Sequence, residues 1–217
     1  MVNTTVYMIR HSLKFSSSNI ETYNTTQNDV LKSEKVVLSV EGEERAKTLG
    51  NLDIFNNIDV IYASNCVRTL ETAKYLLSRL NLKVNLDERF DERRFGIPNS
   101  DKYPDWFRMQ YFDQTFKTEG GESQEDVRNR VNEAFNEVVN NNRGKTIAIF
   151  SHGYAITFFL MKWVKLLELT EDRKFTFEFN GKIFYNKKLD APEIFKLTIN
   201  ENNELIDIEY IPFLTSK

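Results

Sequence analysis

Two histidines occur in the 217 residues, and each closes an apolar run. The first run is Thr5-Val6-Tyr7-Met8-Ile9-Arg10-His11-Ser12, and the second is Thr146-Ile147-Ala148-Ile149-Phe150-Ser151-His152-Gly153. Imidazole, with an ordinary pKa of roughly 6.5, works near neutrality as nucleophile, proton shuttle or metal ligand. Two such groups in matching contexts predict one shared site. His11 directly follows Arg10, and His152 precedes Gly153, whose backbone N–H would open a helix and favour an anion. Ser64-Asn65-Cys66-Val67-Arg68-Thr69 repeats that logic, with Arg68 in a first helical turn. Guanidinium forks donate paired hydrogen bonds to phosphoryl oxygens. Two guanidiniums, two imidazoles and two helix starts at one sheet edge would make a pocket for a tetrahedral oxyanion.

Alternating strand and helix patterns must position these groups. After the first strand, a polar loop of roughly residues 12–36 is long for a structureless connection. Ser39 is a plausible N-cap for a helix through Glu43-Glu44-Arg45-Ala46-Lys47-Thr48-Leu49. Ile58 to Ala63 reads as a strand. Ser64 or Asn65 would cap the next helix, whose stripe is Cys66, Leu70, Ala73, Leu77 and Leu80. A short strand, Lys83 to Leu86, leads into a charged turn from Asp87 to Arg94. Residues 97–121 form an aromatic-rich segment, with Tyr103, Trp106, Phe107, Tyr111, Phe112 and Phe116. It reads equally as a helical cover over the core or as a cover over the active site. Ser123 and Asp126 form a capping-box variant before the stripe Val127, Val131, Ala134 and Val138. After His152 a buried, nearly all-apolar helix is expected to about Leu169. The tail reads as β segments, with a turn at Asn180-Gly181 and a hairpin around residues 200–203. The expectation is an α/β three-layer sandwich in one domain, residues 1–217, with a mostly parallel central sheet and helices on both faces. Ligands of such sheets bind beyond the carboxyl ends of the strands, where both histidines fall.

Composition narrows the function classes. The formal net charge of -3 gives no general reason to expect nucleic-acid binding. Cys66 is the only cysteine, which rules out an intrachain disulfide and fits a reducing compartment. Two histidines and one cysteine far apart in the chain give no zinc-ligand spacing. No basic region followed by an apolar stretch opens the chain, so no signal peptide is expected. The run from Phe150 to Leu169 is broken by Ser151, His152, Lys162 and Lys165, unlike a membrane span. A soluble cytoplasmic protein with no membrane or nucleic-acid partner is the expectation.

In order along the chain, Arg10-His11-Ser12, Leu38-Ser39-Val40-Glu41-Gly42, Ser64/Arg68/Thr72/Ala73, Arg89 to Gly96, Gly120-Gly121-Glu122-Ser123 and Ser151-His152-Gly153 resemble six elements of the histidine phosphatase (phosphoglycerate mutase-like) superfamily. The resemblance covers residues 4 to about 165. It implies that His11 is a nucleophile forming a phosphohistidine and that Arg10, Arg68 and His152 bind the phosphoryl oxygens. It implies further that Glu92 donates and recovers the proton, that no metal or cofactor takes part, and that the partner is a small phosphorylated substrate. Asp91, Glu88 and Asp87 lie close enough to Glu92 to compete for its role. Ser12 stands where the family usually has glycine, and its hydroxyl would add a phosphate contact. Lys14 and Ser17 stand where many members carry threonine and asparagine, and Lys14 would be a further phosphate cation. Arg93 and Arg94 read as surface charges. A phosphoglycerate mutase is the first rival. The short stretch from Glu92 to His152, with Arg108 as the only arginine of the cover segment, argues for a phosphatase. The second rival, a non-catalytic phosphate- or phosphoprotein-binding module, fits poorly with retention of the full set.

Overall fold

Parallel strands need crossover helices, and the sequence supplies caps where those helices begin. In the computed structural model, which describes residues 2–16, 34–97 and 102–213, the elements run in the predicted alternation. They are β1 (Thr4–Arg10), α1 (Val40–Gly50), β2 (Val60–Ala63), α2 (Val67–Leu80), β3 (Val84–Leu86), α3 (Trp106–Phe112), α4 (Gln124–Asn141), β4 (Thr146–Ser151) and α5 (Gly153–Leu160). There follow β5 (Lys165–Leu169), β6 (Lys174–Phe179), β7 (Lys182–Lys188), β8 (Ile194–Ile199) and β9 (Leu205–Ile211). Most of the 12–36 loop, Ser17 included, lies outside the described residues, as do residues 98–101 of the aromatic segment.

Ser39 caps α1 by accepting from the Gly42 N–H at 3.0 Å, and Ser123 and Asp126 close a full capping box at α4. Gly42 has a second duty. A Cβ there would stand 1.9 Å from the Leu13 carbonyl oxygen, so only glycine lets the chain after His11 pass this close to α1.

The main sheet has the order β3-β2-β4-β1-β8-β9. Its first four strands are mutually parallel, and β8 and β9 add an antiparallel hairpin at one side. Alternate residues of β1 and β4 point to opposite faces. Val6, Met8, Ile147 and Ile149 join a core with α4 and α5, while Tyr7, Ile9, Ala148 and Phe150 join one with α1 and α2. The result is the expected three-layer sandwich. The apolar stripe of α4 is wholly buried, Val127, Val131, Ala134 and Val138 alike.

Two local expectations are corrected. The apolar helix after His152 ends at Leu160, not near Leu169, and Lys165–Leu169 is instead the first strand of a separate three-stranded sheet, β5-β6-β7. Apolar runs of this length carry no period that separates helix from strand. The N-cap of α2 is Cys66 rather than Ser64 or Asn65, because the Ser64 hydroxyl is drawn to His152. In the tail, β6 and β7 join through Asn180 and Gly181, both at positive φ, and β8 and β9 through residues 200–204. No helix of the described residues is long and apolar enough to cross a membrane.

Candidate active site

Register brings the two histidines together. In the parallel β1–β4 pair Arg10 sits opposite Ser151, so the next residues, His11 and His152, emerge side by side at the carboxyl edge. Their ring centroids are 5.2 Å apart. His11 Nδ1 lies 2.7 Å from the Ser12 carbonyl oxygen, which can only accept. Nδ1 therefore carries the proton, and Nε2 is the lone-pair nitrogen. Burial, helped by Arg68 and Arg10, holds the His11 pKa well below its usual value.

His152 has the opposite tautomer. Its Nδ1 is 2.9 Å from Arg68 Nη2, a donor only, so Nδ1 accepts and Nε2 donates to the Ser64 hydroxyl at 2.7 Å. Burial, with Arg68 next, also keeps this ring well below the usual imidazole pKa. Ser64 and Arg68 come from the end of β2 and the first turn of α2. Arg68 is buried rather than the surface residue its helix-start position would otherwise imply. Thr72 ties the pieces together: its hydroxyl accepts from the Ser12 N–H at 2.9 Å and donates to the Arg68 carbonyl at 2.7 Å.

Arg10 is held at one end only. Nη1 donates to the Asp190 carbonyl at 2.7 Å and lies 3.9 Å from the Glu193 carboxylate, which is buried. Nε is buried and has no hydrogen-bond partner among the described residues, as is true of the Ser12 hydroxyl. The guanidinium rests over Gly153, where a Cβ would come within 3.2 Å of Nε. A buried N–H and O–H without acceptors are costly, and an oxyanion beside them would satisfy both. Lys14, at the rim, has its pKa lowered by desolvation and by Arg68, with Glu92 acting the other way.

Glu92 is fixed through one oxygen. Oε1 accepts from the Arg93 N–H at 2.9 Å and the Ala155 N–H at 3.2 Å, in the first turn of α5. Asp91 Oδ1 is fastened to the Asn65 N–H at 2.8 Å, and burial raises its pKa to about 6. Asp87 is paired with Arg89 at 2.7 Å, and Glu88 is exposed. Sequence reasoning missed the clamp behind this loop. Arg130 of α4 donates to the carbonyls of Arg89, Asp91 and Glu92 and grips both oxygens of Glu122. The signal was the glutamate of Gly120-Gly121-Glu122-Ser123, just ahead of the N-cap of the helix that carries Arg130.

Arg93 is a further correction, buried instead of on the surface. It donates to Gln110 and to the Glu122 carbonyl and packs between the rings of Phe95 and Phe158. In α3, Tyr111 is buried against Tyr154, Phe158 and Phe175, so this part of the aromatic segment covers the core. Arg108 turns away to the Leu169 carbonyl and Asp105. Folding also assembles what the spacing did not predict: ligand atoms of Cys66, Asp91 and His152 all lie within 4.8 Å of one another. The trio makes a poor cation cage, since both His152 nitrogens are engaged and a guanidinium adjoins one of them.

The sequence model of the histidine phosphatase superfamily, branch 1, matches residues 6–183. A curated relative, phosphoserine phosphatase 1 of Hydrogenobacter thermophilus, is 33% identical over 124 residues. That match takes in 53% of this chain and 58% of the relative. Among solved structures, a mycobacterial glucosyl-3-phosphoglycerate phosphatase with inorganic phosphate superposes with a TM-score of 0.68 at 18% identity, covering 96% of this chain and 95% of that one. Bacillus stearothermophilus YhfR gives 0.66 at 19% identity, covering 94% of each chain. At these identities the structural likeness speaks for the fold.

Proposed function

The chain belongs to the histidine phosphatase superfamily, branch 1, and on that footing we propose that it hydrolyses phosphomonoesters through a phosphohistidine on His11. The observation that carries this reading is the His11 tautomer: Nδ1–H committed to the Ser12 carbonyl and Nε2 neutral beside two arginines. The Nε2 lone pair attacks phosphorus in line as the ester P–O bond breaks. Glu92 gives its proton to the leaving oxygen. Water then attacks the phosphohistidine, Glu92 takes back a proton, and inorganic phosphate leaves. Arg10 offers its Nε edge to the phosphoryl oxygens, and His152 keeps Arg68 turned to the same site. Ser12 and the Gly153 N–H add neutral donors, and Lys14 a cation at the rim. No metal ion is needed for these steps.

Glu92 is favoured as the proton donor because Oε1 is anchored on two amides, which fixes the carboxyl at the start of α5. Asp91 is the second reading, favoured by its raised pKa of about 6. Glu92→Gln is expected to cost about 10²–10⁴-fold in turnover of alkyl phosphates and much less with an activated aryl phosphate. Asp91→Asn should spare that contrast; if Asp91→Asn alone produces it, the roles are reversed. Turnover should survive a chelator and be inhibited by vanadate, and chelator-sensitive turnover would contradict the metal-free route. Supplying a phosphoglycerate separates the rivals: inorganic phosphate is expected, isomerised product would mark a mutase, and tight binding without either would mark a binding module. Arg108, turned to the Leu169 carbonyl, favours the hydrolase over the mutase.

A further inference from the structure

Beside Arg10 Nη1, a carboxyl and a phenol form an enclosed pair that the reaction above does not use. Glu193, just before β8, is 1% exposed, and Tyr185 on β7 is 2% exposed. Glu193 Oε1 and the Tyr185 hydroxyl are in close hydrogen-bond contact, and that same hydroxyl is 3.0 Å from the Lys188 carbonyl. The phenol has one proton and two acceptors to serve. Both contacts are satisfied together only when the carboxyl itself is protonated and donates to the phenol oxygen, which then donates to Lys188. If Glu193 is ionised, the phenol proton turns to it, and the carboxylate faces Arg10 Nη1 across 3.9 Å.

We propose that Glu193 sets the anion affinity of the phosphate site through Arg10: protonated, it leaves the guanidinium charge to the phosphoryl group, and ionised, it competes for that charge. The proposal rests on Arg10 being a phosphoryl ligand. With Glu193 buried and Arg10 partly so, a dianion on the Nε edge of Arg10 and a carboxylate at Nη1 oppose each other. Binding and protonation of Glu193 are therefore linked. Burial places the Glu193 pKa at about 7, with Tyr185, Arg10, the Asp190 backbone and Lys187 all pulling it down. Other groups facing this pair are Tyr210 of β9, stacked edge-on to Tyr185, and Arg45 of α1, paired with Asp190 at 3.4 Å. None of the lysine, arginine or tyrosine groups changes charge near neutrality under ordinary conditions.

Sulfate tests this without the complication of a titrating ligand, because it stays a tetrahedral dianion throughout. Calorimetric affinities for wild type and Glu193→Gln are compared at about pH 5.5 and about pH 8.5, either side of the Glu193 titration. Wild type should lose about tenfold more affinity than the variant over that interval, equivalent to a linked shift of about one pKa unit. Tyr185→Phe removes the hydrogen bond that lowers Glu193, so it should move the wild-type inflection to higher pH. Equal pH dependence in wild type and Glu193→Gln would overturn the proposal. Uniformly weaker binding by the variant with an unchanged pH slope would also overturn it, leaving Glu193 a packing residue. Failure of wild type to bind sulfate at either pH, with no label on His11 from a phosphomonoester, would instead overturn the phosphate-site reading beneath it.

Discussion

His11 and His152 differ in what their Nδ1 atoms meet, and that difference divides their labour. A carbonyl at His11 makes Nδ1 a donor, while a guanidinium at His152 makes Nδ1 an acceptor. Both rings are buried and lie near arginines, so protonation is opposed at each. With only two histidines in the chain, their proton resonances can be titrated without ambiguity. Both should remain neutral as pH falls through about 6.5, and His11 should show the Nδ1–H tautomer. A ring titrating at or above that value would contradict the burial argument. The pairing of the histidines with Arg10 and Arg68 was legible in sequence because each follows a strand end. Glu193 was not, since nothing in a β-rich tail marks one glutamate as the neighbour of a residue 183 positions earlier. Nor was the burial of Arg93, because a run of charges reads as solvated until aromatic rings are folded over it.

At the scale of elements, caps and stripes were the readable part. Ser39, Ser123 and Asp126 announce helix starts by local hydrogen-bond chemistry, and α4 buries the face its spacing predicts. The stretch after Leu160 misled because apolar content identifies burial without identifying secondary structure, and the turn at residues 161–164 carries neither glycine nor proline. Tertiary clamps between elements were equally hidden. Arg130 joins α4 to the loop carrying Glu92 through three carbonyls and Glu122. Arg130→Met should release that loop and leave Glu122 without its cation, lowering stability by about 1–3 kcal/mol. If Glu92 is the proton donor, turnover of alkyl esters should fall more than sulfate affinity, because Glu92 moves while Arg10 and Arg68 stay. Equal loss of both would mean that the clamp supports the whole pocket rather than Glu92.

For the whole molecule, one sheet carries two cores, and the candidate active site lies along the edge where both meet. Leu76 belongs to the core under α1 and α2, Val131 to the core under α4 and α5. If the 217 residues fold as the single domain expected from sequence, Leu76→Ala and Val131→Ala should each lower stability in one cooperative urea transition. Their effects should add within about 0.5 kcal/mol, since they share no partners; separate transitions would mean that the two faces unfold independently. The α/β pattern and the strand-end location of the site were visible from the alternation of elements. The separate β5-β6-β7 sheet was not, although it delivers Tyr185 to Glu193, the carboxyl beside Arg10. On the proposed mechanism, this arrangement serves one covalent event. The most direct measurement is quench of the protein in alkaline denaturant during turnover of a phosphomonoester radiolabelled in its phosphoryl group, followed by mapping of label that survives alkali and is lost in acid. The account predicts label on His11 in wild type and none in His11→Ala, with Glu92→Gln still labelled by an activated aryl ester. Label on another residue, or equal label in wild type and His11→Ala, would contradict it.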